Sequence, residues 1–241
     1  MTAEDIIQEL QQLGNPEKAT HLARFFKTGK GQYGEGDLFW GVTVPEQRTI
    51  AKKYKDAPFH VLTALLDNPY HESRLTGLLI LVEQFTRSKD ALFRQACVDF
   101  YLSHTARINN WDLVDLSCYK LLGVWLEDKD RQVLYRLVDS DNLWEQRIAM
   151  VTCMHFVHQN DFKDCLALAD RLLHHRHDLI HKAVGWLLRE AGKKDRNVLI
   201  RFLETRYREM PRTMLRYTIE RFPETERKRY LEKPVKNLNT H

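Results

Sequence analysis

An all-α fold of stacked helical pairs is what this 241-residue sequence predicts, and two observations carry it. Apolar residues recur at three- and four-residue spacing through nearly everything after residue 44. The breaks between those stretches are short and polar, such as Asp67-Asn68-Pro69, Glu127-Asp128-Lys129 and Ser140-Asp141-Asn142. A unit of helix end, polar turn and following basic residue also repeats. Its copies run from Leu65 to Arg74, Leu137 to Arg147 and Leu172 to Lys182, with basic residues 73 and 35 positions apart (147 − 74 and 182 − 147). A unit of about 36 residues fits a HEAT-like or armadillo-like α-solenoid, slightly under their usual ~40–47. Equivalent positions of such an array line its concave side. Arg74, Arg147 and Lys182 should therefore share one groove with the segment around Trp111, which occupies the slot between the first two copies.

Along the chain, Met1-Thr2-Ala3-Glu4-Asp5 opens an acidic amphipathic helix, and it reads as neither a signal nor a transit peptide. Thr28-Gly29-Lys30-Gly31-Gln32-Tyr33-Gly34-Glu35-Gly36-Asp37, taken with Gly41, then holds five of the ten glycines. Flanked by Phe25-Phe26 and Leu38-Phe39-Trp40, this segment (28–44 at its widest) reads as a short β-hairpin or loop insertion. No GxxxxGK precedes a helix, so it is not a P-loop, although Lys27 and Lys30 could reach phosphates. Helical spacing follows at 46–54, 58–67, 72–85, 90–103, 111–126, 129–138, 143–158, 162–173, 178–191, 195–208 and 212–221. A single domain over 1–233 and a flexible tail at 234–241 complete the expected organisation.

With 43% hydrophobic residues the chain can bury a substantial core, yet it has no apolar run of transmembrane length. Cys97, Cys118, Cys153 and Cys165 are scattered through apolar helical stretches without a CxxC pair, which reads as buried free thiols in a reducing cytoplasm. The net charge of +4 is unevenly spread. Between Arg189 and Lys236 there are 15 Lys/Arg and 8 Asp/Glu, which leaves −3 for the rest. Such a basic third could attract a polyanion or form a solvated surface laced with ion pairs, and charge alone does not choose.

Chemistry concentrates in three segments. Asn109 or Asn110 can cap a helix beginning at Trp111, with Asp112 at the positive end of its dipole. Trp111 and Asp115 then lie about 40° apart at 100° per residue. Asp115 falls at the edge of an apolar stripe, where a carboxylate must be paired, desolvated or useful. In the helix 178–191, Lys182, Trp186 and Arg189 share a face away from the buried stripe, a tryptophan between two cations that could stack on a sugar or base. Packing against the next repeat is the alternative. Arg147 follows a capping box of Asn142 and Glu145, and could contact phosphate or form an inter-repeat salt bridge.

Together these give two tryptophans, a half-buried carboxylate and groove-facing cations. An aspartate between aromatic faces suits an oxocarbenium-like transition state, with each indole adding ~0.5–2 kcal/mol of cation–π attraction. A cationic alkylated purine is already a good leaving group, so hydrolysis of an N-glycosidic bond in DNA is the plausible reaction.

The sequence resembles the AlkD family of bacterial DNA alkylation-repair glycosylases. The resemblance rests on Trp111-Asp112-Leu113-Val114-Asp115, Asp141-Asn142-Leu143-Trp144-Glu145-Gln146-Arg147 and Lys182-Ala183-Val184-Gly185-Trp186-Leu187-Leu188-Arg189-Glu190. Asn15-Pro16-Glu17-Lys18-Ala19 and Gly41-Val42-Thr43-Val44-Pro45-Glu46-Gln47-Arg48 add to it, and coverage runs from about residue 6 to about 220. It implies a HEAT-like solenoid clamping duplex DNA and excision of N3- and N7-alkylated purines without metal or other cofactor. Asp115 takes the catalytic carboxylate role, Trp111 and Trp186 flank the deoxyribose of the lesion, and Arg147 holds the adjacent phosphate. Phe25 matches an aromatic position that faces the lesion but lacks the tyrosine hydroxyl of active members. The family is also unusual in capturing its lesion without a deep base pocket.

The expected partner is thus duplex DNA containing alkylated purines, contacted also by Arg74, Lys182, Arg189, Lys27 and Lys30. The protein is expected to be a cytoplasmic monomer, associated with the nucleoid when bound to DNA, with no membrane partner. His174, His175, His177 and His181 cluster, but no acidic or cysteine ligand is near in sequence, so no metal site is assigned. The main rival is a non-catalytic module recognising distorted or branched DNA. A protein-binding HEAT scaffold is the third reading.

Overall fold

The computed structural model describes residues 1–232, so the tail at 234–241 lies outside the described residues. Among the described residues the protein is all-helical, with no strand beyond one isolated bridge between Leu38 and Tyr70. None of the helices among the described residues is long and apolar enough to cross a membrane. It divides into two compact units, Met1–His155 and the part from Phe156 onward.

In the first unit, α1 (Ala3–Gln12) starts at a capping box in which Thr2 and Asp5 satisfy each other's backbone N–H, and it buries Ile6 and Leu10 one turn apart. α2 (Pro16–Phe25) starts from Asn15, whose Oδ1 accepts the Lys18 N–H at 3.0 Å, with Pro16 ready-set for the first turn. α3 (Val44–Lys53) follows Thr43, whose N–H and hydroxyl both donate to Glu46. α4 (Phe59–Leu66) leads into α5 (His71–Arg87), the centre of the unit. Every residue of α5 from His71 to Leu81 is buried, and the helix packs against α1, α3, α4, α6 (Ala91–Ser103) and α7 (Trp111–Asp115). Leu75, Leu78, Ile80 and Leu81 each bury a side chain there, an effect of roughly 1.5–3 kcal/mol apiece. A helix buried on all sides needs its polar residues paired, and that requirement shapes the site below. α8 (Gln132–Val138) and α9 (Leu143–His158) follow.

The glycine-rich segment resolves to a loop of successive turns, not a hairpin. Its return point is Gly41, at φ +87°, where an added Cβ would lie 2.1 Å from the Asn15 carbonyl oxygen. Two carboxylates anchor it. Glu72, in the first turn of α5, accepts the N–H groups of Trp40 (3.1 Å), Gly41 (2.8 Å) and Val42 (3.2 Å). Asp37, at the end of the turns, is buried against the same end of α5.

In the second unit, α11 (Asp178–Lys194) packs against α10 (Lys163–Arg171), α12 (Arg196–Arg206) and α13 (Arg212–Thr218), and α14 (Glu224–Leu231) follows. Gly185 lets α11 and α13 approach closely, since a Cβ there would meet Tyr217 Cβ at 2.5 Å and the Met214 carbonyl at 2.6 Å. All four cysteines are free and buried. Burial pushes the Cys97 thiol up to about 11 and Cys165 up to about 12, so neither is a ready nucleophile.

Candidate active site

Asn110 builds the start of α7. Its Oδ1 accepts the Trp111 N–H at 2.8 Å and its Nδ2 donates to Asp37 at 3.2 Å, so one buried amide sets the helix and ties it to the glycine-rich loop. The helix expected over 111–126 is interrupted. α7 ends at Asp115, and the chain turns through Leu116–Cys118 into a π-helical turn at Tyr119–Gly123. The Ser117 hydroxyl causes the break locally, donating to the Leu113 carbonyl at 2.5 Å and to that of Val114 at 3.3 Å, while Tyr101 holds it from the other side. The apolar spacing persists through the break because Leu121 and Leu122 still point inward.

Asp115 is 14% exposed and Arg147, from α9, is 6% exposed. They meet fork to fork, Arg147 Nε on Oδ1 at 2.9 Å and Nη2 on Oδ2 at 2.8 Å. Burial raises the Asp115 pKa. The Arg147 charge and its hydrogen bonds pull the other way, and Asp112 adds to the rise. Arg147 is thus a partner of Asp115, which is the salt-bridge alternative left open by the sequence. Its expected capping box is half formed. Asn142 caps α9 through the Trp144 N–H, but Glu145 instead accepts the Thr105 hydroxyl at 2.7 Å.

Trp111 is half-buried beside Asp115. Its ring stacks on Phe26 (centroids 5.2 Å apart, 23° between planes) and meets Phe25 edge-on at 5.9 Å. These residues line a cleft of about 620 Å³, together with the face of α2, the chain from Phe39 to Val44, and Asp115 itself. Phe25, 55% exposed, is among the residues that line this cleft.

Behind the cleft lies a charge network that no local sequence pattern signals. The His71 ring is buried between two carboxylates, Nδ1 to Asp37 at 3.2 Å and Nε2 to Asp112 at 2.8 Å, and Arg74 Nη2 donates to Asp37 at 2.6 Å. Burial alone would lower the His71 pKa. The Asp112 charge and the hydrogen bonds to Asp112 and Asp37 outweigh it and bring the ring to about 9, against the Arg74 charge. Phe26 and Phe39 cover the imidazolium, each with its centroid 4.8 Å away. Asp37 is itself held below the usual carboxylate range. Burial opposes this, and the His71 hydrogen bond and the Arg74 and His71 charges prevail. Asp112 is therefore held by His71, and both it and Asp115, three residues on, border the cleft.

Arg74 does not take the groove-facing position expected of it. It is buried, with its guanidinium on Asp37 and the Asn68 carbonyl, because a cation in the first turn of a helix buried from His71 to Leu81 needs internal partners. Lys27 and Lys30 are exposed on the glycine-rich loop, Lys27 in the left-handed region at φ +54°. In the second unit Trp186 is half-buried on α11. Lys182 pairs with Asp178 at 2.7 Å, and Arg189 pairs with Glu220 and, at 3.5 Å, with Glu190. Among the histidines, His181 Nε2 meets the His175 carbonyl at 2.5 Å, and burial lowers the His175 pKa with the charges of His177 and His181. No group of three or more His, Cys, Asp or Glu among the described residues could hold a metal ion.

The model of the family described as "DNA alkylation repair enzyme" matches residues 6–222, most of the chain. The protein belongs to that family. A solved structure described as "Predicted DNA alkylation repair enzyme from Enterococcus faecalis" shares the fold, with a TM-score of 0.66 at 16% identity, covering 88% of this chain and 97% of the other. No curated protein matches the chain. The family assignment agrees with the resemblance carried by the Trp111, Arg147 and Trp186 segments, and the shared fold is the all-helical one expected from the spacing.

Proposed function

We propose that this member of the DNA alkylation repair enzyme family is a DNA glycosylase, hydrolysing the N-glycosidic bond of N3- or N7-alkylated purines in duplex DNA. The observation that carries the reading is the Asp115 carboxylate, fork-paired with Arg147 and opening beside Trp111 onto an aromatic cleft. As the bond from C1′ to the purine nitrogen lengthens, positive charge moves from the base onto the sugar, and Asp115 stabilises it through space. The electron pair leaves with the base, which departs neutral. Water adds to C1′ and loses its proton to solvent or to Asp115. Arg147 acts through Asp115, fixing the plane of the carboxylate and favouring its ionised form against the cost of burial. Trp111 offers a π face to the cationic sugar, and its own place is fixed by Phe26 and the Asn110 cap.

The test is base release from duplex DNA carrying N7-methylguanine or N3-methyladenine. Asp115→Asn should lower the rate by about 10²-fold or more, the scale of removing one preorganised electrostatic group. Equal background release by wild type and variant would remove the enzyme reading. Salt-sensitive DNA binding without release would leave a non-catalytic module in its place.

A further inference from the structure

Cations of the first unit commonly meet a carboxylate, as Arg74 meets Asp37 (2.6 Å), Arg107 meets Asp67 (2.8 Å) and Arg147 meets Asp115 (2.8 Å). Arg48 on α3 and Lys120 in the π-helical turn are different. Both are half-buried, and among the described residues neither side chain has an ion pair or a hydrogen bond. α3 and the π-helical turn pack on the same helix, α5, which brings Arg48 near Lys120. Burial lowers the Lys120 pKa, and the Arg48 charge adds to the fall. Tyr119 completes the group. Lys120 Nζ lies 5.5 Å from its ring centroid, and its hydroxyl has no hydrogen-bond partner among the described residues. Burial raises the Tyr119 pKa, Cys118 and Asp115 add to the rise, and the Arg48 charge opposes it. The phenol is thus within reach of the charges of both Arg48 and Asp115, yet none of Arg48, Tyr119 and Lys120 lines the aromatic cleft.

Two like charges held together partly out of water repel, and no carboxylate of the described residues pairs with either. An anion arriving there gains from both cations and relieves their repulsion. We propose that Arg48, Lys120 and the Tyr119 hydroxyl form a phosphate site that holds a backbone phosphate of bound DNA, outside the aromatic cleft and four to five residues beyond Asp115 in the chain. The guanidinium and the ammonium supply the charge, the phenol O–H supplies a further donor, and the non-bridging phosphate oxygens accept from all three. Taking the phosphate from DNA rests on the reading of the protein as one that acts on DNA, and not on base release.

Two binding measurements test the site without any base release. In protein carrying carbon-13 at lysine Cε, the Lys120 signal, assigned by its loss in Lys120→Met, should shift on titration with inorganic phosphate and with an undamaged duplex. Arg48→Met should weaken the phosphate response about tenfold. A Lys120 signal that moves with neither titrant overturns the proposal. On the undamaged duplex, Lys120→Met and Arg48→Met should each reduce the slope of log affinity against log salt by about 1. Tyr119→Phe keeps the charge count, so it should weaken binding about threefold with the slope unchanged. Wild-type affinity and slope in both charge variants overturn the DNA source, and the Lys120 shift with inorganic phosphate then marks a site for a free anion. Because the two cations repel, neither methionine variant should unfold at lower urea than the wild type. A clear fall in both would mark the cations as structural and overturn the proposal. Absence of base release from alkylated duplexes removes the glycosylase reading instead, and every binding measurement above still decides the site.

Discussion

Around α7, His71, Asp37, Asp112 and Arg74 have side chains at most 8% exposed, and each has a charged partner. Along α10–α14, Arg206 with Asp170 and Arg196 with Glu226 make pairs between helices at 34–48% exposure. Both regions pair arginine with carboxylates. In the first, desolvation makes every charge depend on its partner, so the network specifies one position for the glycine-rich loop, the end of α5 and the start of α7. In the second, water screens each pair, and the charges join neighbouring helices weakly. The comparison separates charge that builds a site from charge that coats a surface.

The largest break in that contrast should come from His71→Asn. It would leave Asp112 without its cation and reduce Asp37 to Arg74 and the two asparagine donors. Breaking a buried network by removing one partner costs about 3–5 kcal/mol. Urea unfolding at neutral pH measures it, and a loss below about 1 kcal/mol would mean that the imidazolium is not what holds Asp37 and Asp112 together.

The same histidine makes a pH prediction with a definite sign. Its folded pKa of about 9 lies above the unfolded 6.5. The protonated folded form therefore contributes stability that is fully present below pH 6.5 and is lost as pH rises through about 9. At 1.36 kcal/mol per unit that loss is about 3 kcal/mol. Unfolding midpoints taken from pH 6 to 10 should fall across this window in the wild type and much less in His71→Asn. A flat wild-type profile would show that the ring is neutral when folded.

These residues also mark where sequence reasoning stopped. Helix 143–158 was legible to its ends, because apolar spacing and a capping asparagine are local signals. Asp115 was legible as a carboxylate at the edge of an apolar stripe. Its partner Arg147 lies 32 residues away, about one repeat, so periodicity could suggest the pairing without deciding it. His71 is 34 residues from Asp37 and 41 from Asp112, and no local pattern joins the three. The repeat placed Arg74, Arg147 and Lys182 in equivalent positions, yet one meets Asp37, one Asp115 and one Asp178 on its own helix. Each falls within the first two turns of its own helix, and burial decides what each cation does there. The glycine-rich segment shows the same limit. Its glycines announced turns, but its conformation depends on Glu72 and Asp37 meeting α5 from a distance.

The smallest expected effect lies in the second region. Arg196 and Glu226 stand 30 residues apart, Arg189 and Glu220 31 apart, and Arg206 and Asp170 36 apart, each near the repeat length. This is the ion-paired surface that the basic C-terminal third could have been, and it leaves those arginines at the surface within reach of a polyanion. A double-mutant cycle on Arg196→Ala and Glu226→Ala should give a coupling of only ~0.2–1 kcal/mol. At 1 M salt, where the screening length is about 3 Å, most of that coupling should disappear. A coupling above about 2 kcal/mol that survived salt would place this pair with the buried charges around α7. The two regions would then differ in exposure but not in how strongly they depend on charge.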